Sequence, residues 1–199
     1  MKKIAILFLM ISILLGIAGC SIADSEGNLT HVCSEILKEE AYGENYAIFS
    51  LKNGKYRYHL LWEDEVFYCE TTERYPEITA VSDHLLEIRV GHGTGVSSSK
   101  YCNVNDKTTS VWYEDVLFFH NERILRLEYD RNKESGKRHS IVETKVFTEE
   151  NLQTIEFDDI SDDPMPICEV IWVDQNIEIE YYTTEGTTKK LKFPAPSGD

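Results

Sequence analysis

The sequence predicts a mainly β fold: an antiparallel meander of blade-like sheets, arranged as a β-sandwich or an incomplete β-propeller, with one short N-terminal helix. Three observations predict it. From Tyr46 onward, apolar and aromatic residues recur in short runs bounded by Gly, Asn, Asp and Pro, the spacing of strands rather than of helices. Residues 46–51 and 56–61 flank Lys52-Asn53-Gly54-Lys55, and an Asn-Gly between two such runs is the strongest short-range hairpin signal. Finally, Trp62-Glu63-Asp64-Glu65-Val66-Phe67 is echoed by Trp112-Tyr113-Glu114-Asp115-Val116-Leu117 and, more weakly, by Trp172-Val173-Asp174-Gln175-Asn176-Ile177. In each copy a Trp ends one strand, an acidic turn follows and an apolar strand begins. A period of about 50 residues is that of kelch-size propeller blades. A chain of this length barely reaches four of them, hence an incomplete ring or a sandwich.

The first twenty residues follow another logic. Lys2 and Lys3 precede an apolar run over residues 4–17 that only Ser12 and Gly16 interrupt. A positive start before an apolar stretch shorter than the roughly 20 residues of a spanning helix reads as a signal peptide over residues 1–19. The run closes on Ile17-Ala18-Gly19-Cys20, small residues directly before a cysteine. This ending resembles the lipobox of bacterial lipoproteins. The resemblance covers residues 1–20 and implies diacylglycerol transfer to the Cys20 thiol, cleavage before it, and a protein held on the bacterial cell membrane facing out of the cytoplasm. Two acyl chains, at about 0.8 kcal/mol per buried CH₂, hold stably where one does not. Residues 20–28 then form a lipidated polar tether, 29–193 a single β-rich domain and 194–199 a flexible tail. Where an envelope has two membranes, Ser21 after the cysteine resembles lipoproteins sent to the outer one.

The elements follow in order. Leu29, Val32, Cys33, Ile36 and Leu37 recur at helical spacing, with Asn28 or Thr30 as cap and Gly43 as stop, which predicts the helix over 29–41. After the Asn53-Gly54 hairpin, strands are expected at 66–70, 77–81, 85–90, 100–103, 108–113 and 116–119. Residues 123–129 and 140–147 read as a hairpin around 130–136, and Thr148 caps one helical turn over 148–152. An acidic, proline-punctuated loop at 158–166 precedes three closing strands at 167–173, 177–182 and 188–193.

Composition narrows the function classes. The formal charge is −15; removing residues 1–19 takes away two lysines and no acids, leaving −17. Such a surface repels phosphate backbones, which excludes nucleic acid as the expected partner. Beyond Cys20, the cysteines Cys33, Cys69, Cys102 and Cys168 allow two disulfides in any of three pairings, or buried thiols, and no C-x-x-C occurs among them.

Candidate sites are few. Gly91-His92-Gly93-Thr94-Gly95 puts three glycines in five residues, permitting positive φ and close backbone approach. It lacks the Lys-Ser/Thr of a phosphate loop and no helix follows it, so it reads as a hairpin loop whose functional version carries His92 and Ser97 to Ser99 at its tip. Ser97-Ser98-Ser99-Lys100 has the S-x-x-K spacing, but it leads into a strand and lacks the accompanying motifs. Asp158, Asp159, Asp162 and Asp163 offer hard oxygen ligands for Ca²⁺ without EF-hand spacing. No other cofactor is expected, and no histidine pair falls at zinc-ligand spacing. Tyr58 and Trp112 stand for an aromatic surplus that either packs a sheet or makes a sugar- or protein-binding face.

These readings converge on a lipid-anchored extracytoplasmic binding or accessory module, more a binder than an enzyme, holding a protein or glycan ligand. The alternatives are a protective or inhibitor lipoprotein that meets a cationic partner through its acidic face, and an extracytoplasmic hydrolase around His92 and the serines. Beyond the lipobox, the chain resembles strand-rich bacterial lipoproteins only diffusely.

Overall fold

The computed structural model describes residues 35–93, 95–129, 138–161, 163, 166–173 and 175–194. Sixteen strands occur among them, and every strand pairing described is antiparallel. No helix among the described residues is long and apolar enough to cross a membrane. The chain divides into two compact units, Met1–Val90 with Cys102–Thr109, and Gly91–Tyr101 with Ser110–Asp199.

In the first unit, β1 (Ile36–Tyr42), β2 (Tyr46–Leu51), β3 (Tyr56–Trp62) and β4 (Glu65–Thr72) pair in sequence order. The hairpin expected at Asn53-Gly54 is there. Ser50 faces Tyr56, Gly54 takes φ 83°, and the Asn53 side chain accepts from Lys55 N at 3.0 Å. Glu63 and Asp64 join β3 to β4 with φ of 49° and 65°, the two consecutive positive values that a type I′ turn requires. The middle strands are apolar on both sides, and Ile48, Tyr58, Leu60 and Leu61 are almost fully buried. A second hairpin, β5 (Pro76–Ser82) and β6 (Leu85–Gly93), buries Ile78, Leu86, Ile88 and Val90. The end of β7 (Val96–Asn103) pairs with the two-residue β8 (Thr108–Thr109), and Val104 N donates to His84 O at 2.9 Å.

The helix expected over 29–41 is not what forms. Residues 29–34 lie outside the described residues, and 36–42 are β1, paired with β2 from Ile36↔Leu51 to Tyr42↔Ala47. A helix of that length is marginal in water. Here β2 offers a row of backbone partners, and Gly43, instead of stopping a helix, turns the chain into β2 by donating to Tyr46 O at 2.8 Å. A Cβ on Gly43 would come within 2.4 Å of the Tyr46 ring. Gly43→Ala is therefore expected to cost about 1–3 kcal/mol through overpacking, read as a lower urea midpoint. An unchanged midpoint would mean that the ring swings clear.

The second unit is layered. Its middle is the sheet β10 (Val116–His120), β11 (Arg123–Tyr129), β12 (Arg138–Lys145) and β13 (Asn151–Glu156), in sequence order. Asn121 and Glu122, with φ of 48° and 57°, form its first turn. Alternation along these strands gives the sheet two apolar faces. One carries Phe118, Leu125, Leu127, Ile141 and Ile155, packed with Ile177, Ile179, Tyr181 and Trp172 from β14 (Ile167–Val173), β15 (Asn176–Tyr182) and β16 (Thr188–Pro194). The other carries Phe119 and Ile124, which with Val146 pack against Tyr101 of β7 and Tyr113 of β9 (Tyr113–Glu114). Tyr101 stacks on Phe119 at 4.9 Å, and the Tyr113 hydroxyl donates to Val146 O.

Two further expectations change here. The helical turn at 148–152 is instead a backbone turn in which Glu149 N donates to Lys145 O and Glu149 takes φ 58°. Asn151 then opens a strand, because its side chain receives the Thr144 hydroxyl at 2.9 Å across the pair Thr144↔Asn151. The expected strand at 108–113 is broken into β8 and β9, with residues 110–112 between them. The tryptophan echo does not mark equivalent places: Trp62 ends the third strand of its sheet, Trp172 lies in the first strand of its own, and Trp112 lies between strands. Residues 195–199, the expected tail, lie outside the described residues.

Candidate functional site

The glycine-rich loop is the tip of the β6–β7 turn. β6 runs on to Gly93, where φ is 129°, and Gly95 takes φ 72° before β7 begins. A Cβ at Gly93 would meet nothing within 4 Å, so conformation rather than space calls for glycine there. His92, exposed near this tip, brings its Nε2 within 2.7 Å of Ser98 Oγ.

The two-residue period of β7 sorts the serines. Ser98 and Lys100 share one face. Ser97, Ser99 and Tyr101 share the other, where Tyr101 enters the core. Ser97, named from the sequence, is buried and its carbonyl accepts from Asp115 N at 2.9 Å; Ser98 is the serine that meets His92. Lys100 is also buried, and its ammonium lies 5.1 Å from the centroid of the Trp112 ring, a cation–π distance. The pairs Ser98↔Glu114 and Ser99↔Tyr113 anchor this stretch of β7 to β9. One face thus gathers an imidazole, a hydroxyl, an ammonium and an indole. The sequence named Ser97 to Ser99 together, with Lys100 only in the S-x-x-K spacing, and alternation from Tyr101, taken as an inward residue, is the signal that separates Ser98 and Lys100 from Ser97.

The other sequence-named residues fall elsewhere. Tyr58 is completely buried, and its hydroxyl donates to Glu70 Oε2 at 2.6 Å, an oxygen that also accepts from Tyr68 at 2.9 Å. Burial first and the Glu70 hydrogen bond next raise the Tyr58 phenol above its ordinary pKa, so it is a neutral donor inside the sheet and not a ligand-stacking face. In the acidic loop, Asp159 takes the Lys189 ammonium and the Tyr181 hydroxyl, and the Lys189 contact holds its carboxyl below the usual range. Asp163 accepts from the Ser161 hydroxyl at 2.9 Å, Asp158 is exposed, and Asp162 lies outside the described residues. No group of three metal-ligating side chains converges among the described residues. Cys102 is a buried thiol pushed up to about 12 by desolvation, and Cys168 is an exposed thiol on β14. Cys20 and Cys33 lie outside the described residues.

Two buried polar groups carried no sequence signal. His59 on β3 is buried against Phe49, with ring centroids 5.0 Å apart, and its Nδ1 has no hydrogen-bond partner. Glu143 on β12 has a fully buried side chain that accepts from Gln153 Nε2 at 2.7 Å and faces Arg123 Nη1 at 3.5 Å. Burial raises the Glu143 carboxyl, and Gln153 and Arg123 only partly offset it. Beside it on the same sheet face, Trp172 lies 4.4 Å from His120, closing the edge of the packed layer.

The outward face of the last sheet is different in kind. Between the inward residues Val170 and Trp172, the strand turns Ile171 and Val173 to solvent, and Tyr182 joins them from β15. Their neighbours on this face are ion-paired, Lys190 with Glu180 at 3.2 Å and Lys192 with Glu178 at 2.8 Å.

No family model and no curated protein matches this chain. Solved structures similar to it include the following two. The computationally designed Ika8 protein aligns at 11% identity and a TM-score of 0.38, over 77% of this chain and 44% of that one. BamB from Moraxella catarrhalis aligns at 11% identity and a TM-score of 0.33, over 72% of this chain and 45% of that one. The chain therefore spans less than half the length of either, and likeness at this level assigns no function.

Proposed function

We propose that this chain is a lipid-anchored extracytoplasmic binding module of the bacterial cell envelope, tethered through Cys20 and holding a protein partner. Its consecutive meander sheets are read as blades of an incomplete propeller or sandwich. The single observation that carries the binding role is the outward face of β14–β16, where Ile171, Val173 and Tyr182 stand exposed within one small sheet. Exposed apolar side chains gathered on one face mark interaction surfaces. Between Ile171 and Tyr182 the same face carries ion pairs with both signs present, which suits the mixed surface of a protein. The lipobox residues support the anchor, and the net charge supports a partner other than nucleic acid.

The test uses the full chain in its native membrane, with a photo-cross-linking residue replacing Val173. A specific protein adduct is expected, lost when Ile171→Asp and Tyr182→Ser are introduced and kept when the exposed Tyr75 of the first unit is changed instead. Cys20→Ala is expected to move the protein out of the membrane fraction. Adducts indifferent to Ile171 and Tyr182 would overturn the docking face, a glycan adduct would overturn the choice of a protein, and a Cys20→Ala protein still on the membrane would overturn the anchor.

A further inference from the structure

The geometry points to a second activity, independent of the binding reading: Ser98 and His92 form a nucleophile–base pair for acyl transfer from small carboxylic esters. A serine hydroxyl is a weak nucleophile unless a base stands within hydrogen-bond reach to take its proton. His92 Nε2 stands 2.7 Å from Ser98 Oγ. The two side chains come from opposite strands of one hairpin, so their separation is set by β6 and β7 rather than by a free loop. His92 is exposed while Ser98 is buried, so a substrate approaches from the imidazole side. Lys100, on the Ser98 face of β7 with its ammonium over Trp112, supplies a cation on that face, the kind of group that stabilises the negative charge a carbonyl oxygen gains. Gly93 and Gly95 take φ of 129° and 72° beside His92.

The chemistry balances without a cofactor. Ser98 Oγ bonds to the ester carbonyl carbon as its proton passes to His92 Nε2. The alkoxide leaves with that proton, giving an acyl-serine and an alcohol. Water then attacks the acyl-serine, His92 takes the water's proton and returns it to Ser98 Oγ, and the carboxylic acid departs. The readable consequence is a serine that reacts covalently, at a rate that depends on His92.

The full-length chain, purified in detergent, is treated with a fluorophosphonate probe and mapped by peptide mass spectrometry. One adduct is expected, on Ser98. Its rate should fall at least tenfold in His92→Ala, since a positioned base contributes about a hundredfold or more. Ser98→Ala should abolish the adduct while circular dichroism stays that of the wild type; should that variant not fold, the His92→Ala rate decides alone. No adduct on Ser98, or an adduct whose rate ignores His92, would overturn the proposal and leave the contact as a hydrogen bond that only closes the hairpin.

Discussion

Arg123→Ala is expected to destabilise the protein by about 3 kcal/mol, the scale seen when one partner of a buried ion pair is removed. Glu143 is fully enclosed between the central sheet and β14–β16, and only Arg123 offers it a positive charge among the contacts described. At 3.5 Å that contact is long, and the carboxyl is still raised by burial after Arg123 and Gln153 have acted. The sign follows. A raised carboxyl contributes stability that is fully present below its unfolded pKa and is lost as pH rises through the folded one. At neutral pH the charged Glu143 is thus a cost that Arg123 limits, and Arg123→Ala exposes that cost in full. Glu143→Gln removes the charge while keeping an acceptor for Gln153, so it should be neutral or stabilising at pH 7. In the Arg123→Ala background it should recover most of the loss. Urea denaturation of the two single variants and the double variant checks this. Equal losses in Arg123→Ala and Glu143→Gln, or no recovery in the double variant, would refute the account.

The second large effect is acid sensitivity at His59. Desolvation, and then the nearby Arg57 guanidinium, pull this imidazole down to about 4. Arg57 is two residues away on the same face of β3, while Ala47 and Cys69 are the cross-strand partners of His59 and Phe49 lies against its ring. The folded state therefore keeps His59 neutral where the unfolded chain protonates it. Stability from this group is fully present above the unfolded value of 6.5 and falls as pH drops from there toward 4. Across that window the loss amounts to about 3 kcal/mol, at 1.36 kcal/mol per pH interval. The exposed carboxylates Glu40, Asp159 and Glu178, held down by Lys38, Lys189 and Lys192, lose their contributions only below the ordinary carboxylate range. The two windows therefore separate. His59→Leu should remove that fall between pH 6.5 and 4, leaving stability level or rising as the raised Glu143 carboxyl takes up its proton, against a fall in the wild type. A variant that falls as steeply would place the acid sensitivity elsewhere.

How much was legible in the sequence depends on how local the signal was. The Asn53-Gly54 hairpin needs one glycine at the positive-φ position of a turn between alternating runs, and it forms where that pattern stands. Most strands from β2 onward fall within a residue or two of their expected places because apolar alternation is written in neighbouring residues. β1 and β13 were not legible. Ile36 and Leu37 fit a helical stripe, and Asn151–Glu156 is too polar to advertise a strand. Each becomes one because a neighbouring strand presents unpaired backbone, a fact that no short window of sequence contains.

The candidate site shows the same division. Glycine spacing marked the loop, and His92 with it, but the sequence named Ser97 to Ser99 without choosing among them. Register and face decide between adjacent serines, since a one-residue shift turns each side chain to the opposite side of the sheet. Tyr58 and the acidic loop carried the residue types of a binding face and a calcium site. Burial made the first a donor to Glu70, and Lys189 with Tyr181 engaged Asp159 in the second. By itself, the sequence determined the strand-rich class, the hairpin turns, the acidic charge and the residues that resemble a lipid anchor, because each is a property of residues adjacent in the chain. Only the tertiary structure decided the strand fate of residues 36–42, the meeting of His92 with Ser98, the enclosure of Glu143 and His59, and the exposure of Ile171, Val173 and Tyr182. Those depend on which strands pair, in which register, and on which face the next sheet lies.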